Sequence, residues 1–85
     1  MKLINTNEQL LKKYQKMDKT CLYLTLVPYK NNSCIKAYSD DGEPVGDIEP
    51  AFLSEYLNKK NVVMFVNEIF NDDTGLFELV VTTII

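Results

Sequence analysis

Two long β-rich runs close the chain and limit what it can fold into. Residues 61–70 (Asn-Val-Val-Met-Phe-Val-Asn-Glu-Ile-Phe) and 76–85 (Leu-Phe-Glu-Leu-Val-Val-Thr-Thr-Ile-Ile) are separated by Asn71-Asp72-Asp73-Thr74-Gly75. A five-residue connection ending in glycine between two such runs predicts a β-hairpin. Both faces of that hairpin read as apolar, with Phe77, Leu79 and Val81 on one and Leu76 and Val80 on the other. One face is therefore expected to meet the core and the second to meet a helix or a partner chain. Nothing polar follows Ile84-Ile85, and an open edge there would pair with another strand, so a covering helix or a homodimer through this strand is expected.

Upstream, Thr6-Asn7-Glu8-Gln9 fits a capping box with Thr6 as the cap. Leu10, Leu11, Tyr14 and Met17 follow at helical spacing while Lys12, Lys13 and Lys16 fall elsewhere on the wheel. An amphipathic helix over about 7–17 is the expectation. From Thr20 to Val27 the period changes to two, Leu22, Leu24 and Leu26 alternating with Tyr23, Thr25 and Val27. This predicts a strand that Pro28 ends, because proline cannot donate to a ladder. Residues 29–33 read as a polar loop, 34–38 as a second strand, Asp40-Asp41-Gly42 as a tight turn and 44–48 as a third strand. Pro50 suits the first turn of a short helix reaching about Asn58, with Phe52, Leu53, Tyr56 and Leu57 as its buried stripe. The order α-β-β-β-α-β-β predicts a single α+β domain over 1–85: an N-terminal helix within 1–19, then a β-rich core of five antiparallel strands closing into a small barrel or half-barrel.

Several chemistries are disfavoured by what the chain lacks. Its apolar fraction of 46% suits a folded domain. The longest apolar runs, such as residues 62–66, fall far short of the roughly 20 residues that cross a bilayer, and no signal-peptide core is read at the start. A cytoplasmic protein without a membrane partner is expected. Cys21 and Cys34 have no CxxC spacing and no histidine to complete a zinc set, so both are expected to be buried free thiols. Without histidine no nucleophile triad can be built on Ser33, Ser39, Ser54 or either cysteine. Gly42-x-x-x-Gly46 and Gly75 match no phosphate loop. The acidic stretch 39–50 holds Asp40, Asp41, Glu43, Asp47 and Glu49, but Asp40 and Asp41 are adjacent and Gly42 follows at once. That spacing fails a calcium loop, and turn acids are the first reading, with a metal site and a catalytic carboxylate pair as the minor ones. The expectation is a non-enzymatic protein without a cofactor.

The net charge of −3 is unevenly spread: residues 1–36 carry seven lysines against Glu8 and Asp18, giving +5, and residues 37–85 sum to −8. Such a split either marks a face for an anionic partner or is neutralised within the fold.

From Pro28 to Leu57 the chain resembles the HIRAN domain family, which runs as an Asn-Pro-Tyr type loop, a strand, an acidic Asp-Gly turn, a Val/Ile-Gly strand and then a helix. Pro28-Tyr29, Asn32, Ile35, Gly42, Val45-Gly46 and Ile48 carry the likeness, given one extra residue near Ser33. The chain departs from the pattern at Lys30, where the family has an aspartate, and at Asp47-Ile48-Glu49, where it has uncharged or basic residues. The resemblance implies a small barrel related in shape to OB-folds that captures single-stranded DNA ends. Carried over, it makes Tyr29 a base-stacking or end-contacting aromatic and Phe70, just before the last hairpin turn, a second stacking surface. Lys30, Asn32 and Lys36 complete the expected contact surface, helped by the lysines of the first helix. Acids at that rim are expected to oppose phosphate binding. A second expectation, of another class, is an acidic protein-interaction or inhibitor module that engages a basic or DNA-processing partner, or dimerises through its last strand.

Overall fold

Alternation sets the central strand. In the computed structural model, which describes residues 1–84, the elements are β1 (Lys2–Leu3), α1 (Glu8–Lys16), β2 (Cys21–Tyr29), β3 (Cys34–Ser39), β4 (Pro44–Asp47), a 3-10 turn (Pro50–Phe52), α2 (Leu53–Tyr56), β5 (Asn61–Asn71) and β6 (Leu76–Thr83). Leu22, Leu24 and Leu26 of β2 point into the core while Cys21, Tyr23 and Val27 stay exposed, as the period of two requires. The six strands form one antiparallel sheet in the order β1-β6-β5-β2-β3-β4, curled into a half-barrel. Register shifts in β5 at Val66/Glu68 and Glu68/Phe70 supply local bends of the kind that let a sheet curl.

Both helices pack on the concave side. Leu10, Leu11 and Tyr14 of α1 and Tyr56 of α2 join Leu22, Leu24, Ile35, Met64, Leu79 and Val81 in one buried cluster. Each such large side chain contributes about 1.5–3 kcal/mol on burial. The convex side of β2, β3 and the adjoining part of β5 has no helix over it, and no helix among the described residues is long and apolar enough to cross a membrane.

The α+β half-barrel, the N-terminal helix and the short helix before β5 are as expected, and several details differ. A sixth strand, β1, pairs Lys2 with Val80 and Leu3 with Leu79. Two residues are too few to show any periodicity in sequence. With β1 beside it, and with the Val81 N–H bonded to the Met1 carbonyl at 2.8 Å, the middle of β6 is not an open edge. The part of the expected C-terminal edge that falls on Ile85 lies outside the described residues. The N-cap of α1 is Asn7, whose Oδ1 accepts from the Leu10 N–H at 3.2 Å, and not Thr6. Thr6 instead packs near Gly46, held there by the pairing of the preceding Ile4 with Asp47. Met17 lies beyond the last helical turn, where Asp18 adopts φ 51, and is exposed instead of joining the buried stripe. Pro28 does not end β2, which runs on to Tyr29 opposite Cys34. The ladder to β5 stops at Thr25, so the missing donor of Pro28 falls on an open side of the strand. Cys21 and Cys34 are free thiols but not buried: Cys21 is exposed and Cys34 half-buried, since their parity turns both outward.

Candidate functional site

The N-terminal segment joins the far side of the sheet at one point. Ile4 and Asp47 exchange two backbone hydrogen bonds, of 3.0 and 2.8 Å, which brings β1 and β4, the outermost strands, together. Gly46 permits this approach. A Cβ there would lie 2.9 Å from the Ile4 carbonyl oxygen and 3.1 Å from the Thr6 methyl. The Val-Gly pair noted in the sequence is thus explained by close backbone contact.

Asp47 stands opposite Lys36 in the ladder and is 8% exposed. Its Oδ2 accepts from the Asn5 amide at 3.0 Å and from the Tyr29 hydroxyl at 3.2 Å, while Oδ1 is buried and accepts no hydrogen bond from the chain. Asp47 therefore does not present its charge at the rim in the way the sequence alone suggests.

Tyr29 reaches Asp47 across the outer face of β3. It leaves β2 on the same face as Cys34, its ladder partner, and Lys36. The Lys30 ammonium stands 5.6 Å from the ring centre and that of Lys36 6.0 Å, at the outer limit of a cation–π contact. Partial burial, contact with the Cys34 thiol and the charge and hydrogen bond of Asp47 push the Tyr29 hydroxyl up to about 12, so it stays a neutral donor at physiological pH.

The turn that carries this group is strained. Lys30, Asn31 and Asn32 have φ of 51, 56 and 68, three consecutive left-handed residues without a glycine. Asparagine tolerates that region, but for lysine it costs about 1–2 kcal/mol. Ser33 pins the turn by donating to the Lys30 carbonyl through its hydroxyl at 2.6 Å and its amide at 3.1 Å. Lys30, Asn31 and Asn32 are left exposed at the tip.

The structure thus brings together four of the five residues singled out in sequence: Lys30 and Lys36 each beside the Tyr29 ring, and Asn32 on the same turn. Phe70 has other neighbours. Its ring lies 5.1 Å from that of Phe77, and the Lys12 ammonium sits 5.5 Å over Phe77. Phe77 in turn lines an open cleft of about 480 Å³ between β1, the start of α1 and the start of β6. Charges in that cleft are matched within it: Lys2 pairs with Glu78 at 3.0 Å and Lys12 with Glu8 at 3.6 Å. Hydrogen bonds from Lys2 and Asn71 hold the Glu78 carboxyl below its ordinary range.

Sequence reasoning passed over the outward half of the central strands. Directly opposed residues share a face, so Tyr23 and Val63, Cys21 and Phe65, and Thr25 and Tyr38 all stand on the convex side. Tyr23 and Phe65 are 48% and 49% exposed. The signal was the alternation itself, which names the outward residues as plainly as the inward ones. Along the outward positions of β2, β3 and the part of β5 paired with β2, no carboxylate occurs, although the chain is acidic overall. The acidic turns at Asp40-Asp41 and Asp72-Asp73 lie at the ends of their strands away from Tyr29.

Comparisons of the chain with protein-family models, with curated proteins and with solved structures find no match.

Proposed function

We propose that this protein is a non-enzymatic module that binds single-stranded DNA, ends included, at the β2–β3 turn. The observation that carries the reading is the surrounding of Tyr29 in a chain of net charge −3. Two ammoniums flank its ring, and the nearest carboxylate, Asp47, is buried beneath it in hydrogen bonds to Asn5 and Tyr29 itself. An aromatic face gives a base a stacking surface worth about 1–3 kcal/mol, and the ammoniums meet the phosphates on either side. Asn32, exposed at the turn, offers both a donor and an acceptor to a base edge or a sugar. The likeness of residues 28–57 to HIRAN domains points the same way, with Tyr29 in the role of the end-contacting aromatic.

Lysines at this turn come to a base or a phosphate at little cost, because their ammoniums already stand over an aromatic ring and not in ion pairs. Among the described residues, the ion pairs are those of Lys2 with Glu78 and Lys12 with Glu8. Fluorescence anisotropy of a labelled oligodeoxythymidylate at low salt tests the reading. Neutralising two phosphates predicts a slope of log affinity against log salt of about −1.4, falling by about 0.7 in either Lys30→Ala or Lys36→Ala. Tyr29→Ala should lower affinity about tenfold or more. Absence of binding at low salt, or binding indifferent to all three changes, would remove the proposal.

A further inference from the structure

The convex face beyond the Tyr29 turn has no assigned role, and its chemistry is uniform. Tyr38 stands opposite Thr25, Tyr23 opposite Val63, and Phe65 opposite Cys21, so the three rings step diagonally across β3, β2 and β5. Diagonal neighbours in such ladders lie about 7–8 Å apart, within reach of aromatic side chains. From Cys21 to Tyr29 the strand covers roughly 26 Å, most of the 35 Å length of the molecule. No helix covers this face, because the buried side chains of α1 and α2 all belong to the concave core.

We infer that this face continues the Tyr29 site into a stacking track for several successive bases of one single strand, with Tyr38, Tyr23 and Phe65 as its platforms. The inference rests on the proposed binding of single-stranded DNA and adds its direction and length. Charge selects the occupant. A surface made only for burial against a second copy needs no cations, whereas here Lys30 and Lys36 stand beside Tyr29 at one end. No carboxylate occurs at the outward positions of β2, β3 and the part of β5 paired with β2. Aromatic platforms leading away from a basic end fit a polyanion with splayed bases, and a surface of this size accommodates at least about four nucleotides. Tyr29, hydrogen-bonded through its hydroxyl to Asp47, fixes the starting point.

Length dependence distinguishes the track from the turn alone. Anisotropy is measured at low salt for a labelled dinucleotide and for a labelled oligodeoxythymidylate of about six residues, using the full chain and the double variant Tyr23→Ala/Phe65→Ala. These side chains are half-exposed, so the fold should persist, and thermal unfolding checks this. The longer strand should bind the native chain at least ~10-fold more tightly than the dinucleotide. The double variant should lose that gain while keeping its affinity for the dinucleotide. Equal affinity for both lengths, or a gain that survives the double substitution, overturns the track and leaves the Tyr29 site standing. Binding of neither length removes the Tyr29 site as well. Sedimentation supplies the remaining outcome: a native dimer that Phe65→Ala dissociates would assign the face to a second copy and overturn the inference.

Discussion

The hydroxyl of Tyr29 donates to Oδ2 of the buried Asp47 at 3.2 Å, so the ring that leads the proposed interface is tethered at its tip. A ring held this way loses little freedom when a base stacks on it, which favours binding. The tether also has a pH signature. The ordinary value of 10.0 is pushed up to about 12 by partial burial, by the Cys34 thiol and by Asp47. The folded state therefore keeps the proton to higher pH than the unfolded chain. The stability linked to Tyr29 is complete below pH 10 and is lost as pH rises toward about 12. In an absorbance titration Tyr29 should ionise above the ordinary value of 10.0, and Tyr29→Phe should make the alkaline loss of stability shallower. Burial raises Tyr14 as well, so some alkaline loss remains in the variant. A variant as alkali-sensitive as the native chain would contradict the tether.

Closure of the half-barrel depends on a position without a side chain. In Gly46→Ala the new Cβ meets the Ile4 carbonyl at 2.9 Å, backbone that cannot swing away as a side-chain tip does. Destabilisation of about 1–3 kcal/mol is expected in urea unfolding. Hydrogen exchange should quicken at the Ile4 and Asp47 amides before it does in β2. Unchanged stability would mean that the Ile4–Asp47 bridge is not needed for the fold.

At the β2–β3 turn, strain and binding are set against each other. Lys30→Gly removes a side chain from φ 51 and should raise stability by up to about 1 kcal/mol. It also removes one of the two ammoniums beside Tyr29, so affinity for single-stranded DNA should fall. Urea midpoints and anisotropy measured on the same sample check the opposite signs. A change of the same sign in both would show that the turn conformation is not held for binding.

The cysteines report on the convex face without any mutation. Cys21 is exposed beside Phe65, while Cys34 is half-buried on the face that Tyr29 crosses. A maleimide reagent should modify Cys21 faster than Cys34 in the free protein. If the stacking track exists, saturating oligodeoxythymidylate should slow the modification of Cys21. Equal rates with and without the strand would place the strand elsewhere.

Long, strongly patterned elements were legible in the sequence, and the contacts that join them were not. The β5–β6 hairpin could be read because Asn71 and Gly75 are chemically suited to their places: the Asn71 side chain accepts from the amides of Asp73 and Thr74, and Gly75 takes φ 71. The inward face of β2 followed from Leu22, Leu24 and Leu26. By contrast β1 is only two residues long, and it exists because β6 and Asp47 offer it partners from far along the chain. Pro28 misled for a related reason, since its effect depends on which neighbouring strand has already ended. In the site, Tyr29, Lys30 and Lys36 could be grouped because a single tight turn brings them together. The burial of Asp47 could not be read, because it depends on Asn5 arriving from the N-terminus. The separation of Phe70 from the Tyr29 turn could not be read either, because it follows from the β5–β6 register that sets Phe70 opposite Phe77.

The location of the site is the central claim, and amide chemical-shift mapping tests it most directly. An oligodeoxythymidylate titrated at low salt into the labelled full chain should shift Tyr29, Lys30, Asn32 and Lys36 first, then Tyr38, Tyr23 and Phe65 on the same convex face. The amides of Leu10, Leu11 and Met64 in the concave core should stay in place. Shifts confined to the cleft around Lys2, Lys12 and Phe77, or to the lysines of α1, would contradict the account.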